Sequence, residues 1–164
     1  MTRYHAQTLF LLGPDKRRVE EMSEDTRYFP VELKWVDDKS GELLVEGKEV
    51  IMTGAPTEEG AKRGHTPEDL FVASATVCYM NGFVEFTRKM RIGFKSFECD
   101  AVGKLEKVGR SFEITSIEMK ARVGIESEDL RKKIDRALDL AAKYCFVANS
   151  MKCPTTHDTE VFVV

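Results

Sequence analysis

The chain has 164 residues, 42% hydrophobic and 32% charged, and 25 Lys and Arg against 28 Asp and Glu leave a net charge of -3. That length supports a buried core without disulfide staples. The balanced charge gives no footprint for nucleic acid, and no apolar run approaches the ~20 residues of a membrane span. The apolar stretch over residues 9–12 is too short for a signal peptide and precedes its basic residues, so a cytoplasmic location without membrane or nucleic-acid partners is expected.

Residues 1–28 read as an N-terminal extension, broken at Gly13-Pro14, with a short charged helix expected over 14–22. A single domain is expected over 29–164. Phe29, Val31, Leu33 and Trp35 alternate with Glu32 and Lys34, which predicts a half-buried strand with Trp35 packed. Turn chemistry at 37–41 leads to two more strands over 42–46 and 49–53, forming an antiparallel meander. A Gly- and Pro-containing loop over 54–65 follows.

Thr66-Pro67-Glu68-Asp69 then carries a capping residue, a proline suited to the first turn and two carboxylates favoured by the helix dipole. The helix should run to about Met90 and be buried, since it is apolar on nearly every side between Leu70 and Val84. Cys78 sits in its middle. Two long strands follow, turning at Gly109-Arg110, with a phase flip near Ser116 that predicts a bulge. Ser127 caps a second helix, whose apolar stripe is Leu130, Ile134, Leu138, Ala141, Cys145 and Ala148. Residues 159–164 form a last strand. The order is β-β-β-α-β-β-α-β, an α+β fold with antiparallel sheets and two central helices.

Four cysteines occur, at 78, 99, 145 and 153, without a CxxC pair. Cys145, Cys153 and His157 match no common metal spacing, and no metal or cofactor site is expected. Cys99 shares a strand face with Phe97 and Ala101 and reads as core. Cys153, before Pro154, reads as an exposed reserve thiol. Spacing alone leaves Cys78 and Cys145 open between packing residues and a reactive pair.

The segment 66–78, TPEDLFVASATVC, resembles the helix that carries the reactive cysteine in the OsmC/Ohr family. The segment 142–150, AKYCFVANS, is similar to that family's second cysteine segment, and the order of elements agrees over residues 28–164. The resemblance implies an intertwined homodimer that reduces organic hydroperoxides. Cys78 would attack the peroxide and become a sulfenic acid, and Cys145 would resolve it as a disulfide. An external dithiol donor, a lipoylated protein in one branch, would restore both thiols. Glu68 matches the family glutamate that holds an activating arginine. The turn expected to supply that arginine offers Lys39 instead, and Arg63 or Arg27 are the other candidate cations. His65, two residues before Pro67, is a further candidate neighbour of the site. The alternative is a non-catalytic dimer of the same fold that binds an apolar ligand at its interface, with structural cysteines.

Overall fold

The computed structural model describes residues 26–55 and 64–164; the helix expected over 14–22, most of the N-terminal extension and Arg63 lie outside them. The chain divides into two compact units with the boundary between His65 and Thr66, inside the span 29–164 that the sequence suggests as one domain.

The first unit holds three short strands: β1 Glu32–Asp37, β2 Ser40–Leu44 and β3 Ile51–Thr53, an antiparallel sheet in that order. Leu33 faces Leu43 and Leu43 faces Ile51 across the ladders, so the meander forms as expected. The turn takes Asp38 into the left-handed region at φ 42°, and its carbonyl accepts the Trp35 indole N–H at 2.9 Å. The half-buried strand does not form. Every residue of β1 is exposed, and Trp35 is 75% exposed rather than packed. Three short strands cannot cover their own apolar face.

The second unit is built on α1 Pro67–Met90. Its start is a capping box: Thr66 Oγ1 accepts from Asp69 N–H at 3.1 Å, and the Asp69 carboxylate accepts from Thr66 N–H at 2.9 Å. The helix ends as predicted, with Arg91 in the left-handed conformation that glycine more often supplies. α1 buries Ala75, Cys78, Tyr79, Phe83 and Thr87 but leaves Phe71, Val77 and Met80 exposed, so it is not buried all round as its composition predicts. By length and composition alone α1 is long and apolar enough to cross a membrane, a property that the core helix of a soluble protein also has.

Two long strands follow, β4 Ser96–Val108 and β5 Ser111–Ile125, paired antiparallel. The predicted bulge is present: Lys104 faces Ser116 and Leu105 faces Ile114, leaving Thr115 as the extra residue. β5 is the central strand, and its alternating Ile117, Met119, Ala121, Val123 and Ile125 are all buried. A 3-10 turn leads into α2 Arg131–Lys143, which buries Ile134, Ala137, Leu138 and Ala141 at helical spacing. After a break comes the short α3 Phe146–Asn149, then β6 Thr155–Val163.

β6 pairs with β5 in parallel, so the second sheet is mixed where antiparallel sheets are expected. The helical connection makes this possible, because it returns the chain to the end of the sheet where β5 began. Cys153 is also not where the sequence places it. It is buried in the main core, because Ile117 N–H donates to the Pro154 carbonyl at 3.1 Å and ties its loop to the start of β5.

Candidate functional site

The helix stripe of residues 130–148 does not run through. α2 stops at Lys143, and Cys145 adopts an extended backbone, φ -67° and ψ 98°, as the N-cap of α3. Its sulfur takes the role that a serine oxygen usually has, accepting the Ala148 N–H at 3.4 Å. The apolar spacing hides this break, since residues on both sides of it face the same interior.

Where α1 crosses α2 the backbones come close. A Cβ placed on Gly82 would meet Ala141 Cα and Cβ at 3.4 Å. One turn back along α1 from that crossing is Cys78, and one turn onward from Ala141 is Cys145. The two cysteines therefore meet. With Ala148 they form a buried cluster apart from the main core, with Val147 packed against it. Cys145 is 2% exposed and Cys78 8%.

Burial pushes the Cys145 thiol up to about 11, and the Cys78 thiol, within hydrogen-bonding reach, pushes in the same direction. The N–H groups of Ala148 and Val147 oppose the shift without cancelling it. Cys145 is accordingly a protonated thiol at neutral pH. Its sulfur also lies 3.9 Å from the Ala75 carbonyl oxygen on α1, a weak outlet for the S–H.

Glu68 is exposed in the first turn of α1 and takes no part in the capping box, which uses Asp69. It precedes Cys78 by ten residues, about 15 Å along a helix axis, so within one protomer it does not touch the thiols. Lys39 is exposed in the β1–β2 turn of the first unit, and Arg27 is exposed before β1. His65 is exposed too, and its main chain bridges to Thr53. Cys99 packs partly against the core as predicted, and burial first, then Asp100, pushes its thiol up. Among the described residues no cluster of three or more His, Cys, Asp or Glu could hold a metal.

A groove of about 520 Å³ runs between α1 and β4, with Glu68 and Asp69 at its acidic end and Val72, Val77, Ala101 and Val102 among its apolar lining. β4 approaches α1 at Gly103, where a Cβ would lie 2.5 Å from Val72 Cγ2. The groove uses the face of α1 opposite Cys78, at 100° per residue, and does not open on the thiols. The sequence gives no sign of it, since it is made by strand–helix packing.

A family model of OsmC-like proteins matches residues 59–160, well over half of the chain and all of the thiol cluster. No curated protein matches in sequence. Among solved structures, an OsmC-like protein of unknown function from Vibrio cholerae superposes with a TM-score of 0.72 at 20% identity, over 82% of this chain and 99% of that one. The organic hydroperoxide resistance protein OhrB of Bacillus subtilis gives 0.56 at 17% identity, over 82% and 98%. An organic hydroperoxide resistance protein OsmC from Legionella pneumophila gives 0.63 at 14%, over 83% and 98%. At such identities these likenesses speak for the fold alone, and together with the matched family model they place the molecule: the chain belongs to the OsmC-like protein family, as a divergent member.

Proposed function

We propose that the protein reduces organic hydroperoxides through Cys78 and Cys145. The observation that carries this reading is the meeting of two buried thiols, one in mid-helix and one at a helix break, in a chain of this family. The Cys78 thiolate attacks the distal peroxide oxygen and the O–O bond breaks. The alkoxide leaves and takes up a proton as the alcohol, and Cys78 becomes a sulfenic acid. The Cys145 sulfur displaces that hydroxyl, releasing water and forming the disulfide. An external dithiol then returns both thiols and is itself oxidised to a disulfide. The assignment of Cys145 as the second, resolving thiol fits the proton that burial makes it keep.

Treatment with cumene hydroperoxide should remove two hydrogens from the intact protein, and peptide mapping should find a 78–145 crosslink. Cys145→Ser should stop at sulfenic acid or go on to sulfinic acid. A 145–153 crosslink, or none, overturns the mechanism.

The active form is proposed to be a homodimer. Phe71, Val77 and Met80 on α1, with Val102 at 67% and Leu105 at 51% exposure on β4, are exposed apolar residues for a second copy to cover. Obligate interfaces bury ~2,000 Å² or more and resemble a divided core. Light scattering at micromolar concentration should give the mass of a dimer; a monodisperse monomer removes this part of the reading. Glu68, about three turns from its own Cys78, serves the thiols only from the partner copy in such a dimer. The groove away from the thiols favours a second reading, binding of an apolar ligand by a dimer whose cysteines are structural. Absence of peroxide consumption with an intact groove ligand selects it.

A further inference from the structure

We infer that Cys145 is a positioning residue as well as a resolving one: its S–H donates a hydrogen bond to the Cys78 thiolate and holds it ready for attack. This rests on the reading of Cys78 as the attacking sulfur and adds a step before any disulfide exists.

The inference starts from the partners around one sulfur. Cys145 is 2% exposed, so its S–H has no direct bulk water to turn to. Its acceptor side is engaged, because the Ala148 N–H points at the sulfur from 3.4 Å. That contact fixes the sulfur at the N-cap of α3 and leaves the proton to be directed elsewhere. Two acceptors are within reach. One is the Ala75 carbonyl at 3.9 Å, at the limit for a sulfur donor and already part of the α1 hydrogen-bond ladder. The other is the Cys78 sulfur, one turn further along the same helix.

While Cys78 is a neutral thiol the two acceptors are both weak. Once it ionises they are not comparable, because a hydrogen bond to a charged acceptor is roughly twice as strong as one between neutral groups. The S–H then turns from Ala75 to Cys78. A donor that keeps its own proton is required for this, and the upward push on the Cys145 thiol supplies it. The same contact aligns the sulfurs for the later disulfide. It also provides anion stabilisation from within the second unit.

The test separates donor from disulfide. Cys145→Ser and Cys145→Ala both abolish the crosslink, but serine keeps an O–H donor and a better N-cap oxygen, whereas alanine keeps neither. Iodoacetamide labelling of Cys78, followed by peptide mapping, is measured from pH 6 to pH 10. At pH 7 the serine variant should label about tenfold faster than the alanine variant, the size expected for one charge-assisted hydrogen bond. Near pH 10, where an ordinary thiol is ionised without help, the two should converge to within about twofold. That convergence excludes a loosened α3 that merely opens the site, since altered access changes the rate at every pH. Equal labelling at pH 7, or a ratio that persists to pH 10, overturns the inference. A wild-type protein that fails to form the 78–145 crosslink while the two variants still differ leaves the donor in place and removes the peroxidase.

Discussion

Replacing Gly82 by isoleucine should abolish the Cys78–Cys145 crosslink while leaving all four cysteines in the chain. A Cβ at Gly82 already reaches Ala141 at 3.4 Å, ordinary contact distance. Two more carbons branching from that Cβ have no room and must push α2 away from α1. A disulfide needs Cα atoms within roughly 7 Å, so a displacement of one or two ångströms at the crossing is enough to separate sulfurs one turn away. Overpacking of this kind costs about 1–3 kcal/mol, a shift of several degrees in melting temperature for a chain of this size. Gly82→Ala is the control. It fits the contact and removes the entropy cost of a mid-helix glycine, so it should be neutral or stabilising by up to about 1 kcal/mol and keep the crosslink. Thermal unfolding and peroxide mapping on the same two variants check both halves. Retention of the crosslink in the isoleucine variant would show that this helix crossing does not position the thiols.

That crossing also explains how far the sequence could be read. Strong local signals produced correct elements. Pro67 with its flanking cap and carboxylates gives α1 its start, and the alternating Ile117 to Val123 gives β5 its buried face. The phase flip at Ser116 is legible because a bulge must change which residues face inward. What could not be read depends on partners distant in sequence. The direction of β6 is set by where α3 delivers the chain, not by its own residues. Cys153 is buried because its loop is tied to Ile117, 36 positions earlier. Trp35 looks like a packed strand residue, yet its sheet provides nothing to pack against.

For the site, the two cysteines were legible only as a resemblance. Their meeting depends on Gly82 and Ala141, two small residues with no chemical signature of their own. The capping role of Cys145 was masked because its sulfur replaces an oxygen and the apolar stripe runs on across the break. Glu68 illustrates the opposite limit. Its place at the helix start is legible from the cap, and its distance from Cys78 from the helix being continuous between them, but which protomer's thiols it faces is not.

Stability should fall as the pH is lowered from about 6.5 towards 5, and His157 should account for part of the fall. Its ring sits on β6 with its centroid 4.6 Å from that of Tyr79, and its Nε2 is buried with no hydrogen-bond partner among the described residues. Tyr79 is fully buried on α1; burial, then Cys99 and Asp139, keep it a neutral phenol, so it offers no countercharge to an imidazolium. Burial alone lowers the His157 value below its ordinary 6.5. The sign follows from proton counting. Above 6.5 both folded and unfolded histidine are neutral and the group contributes no pH dependence. Below 6.5 the unfolded chain takes up a proton that the folded chain refuses, so the unfolded state gains and stability is lost until the folded value is also passed. The slope cannot exceed about 1.4 kcal/mol per pH unit for one group, and a half-buried ring gives less, because solvent screens part of the charge. Urea unfolding at pH 7.5, 6.5, 5.5 and 5.0, in wild type and His157→Gln, isolates the contribution, since the other histidines and the carboxylates cancel in the difference. The glutamine variant should lose less stability than wild type between pH 6.5 and 5.0. Parallel curves would mean that His157 accepts its proton in the folded state as readily as in the unfolded one, and that the Tyr79–His157 contact opens to water without cost.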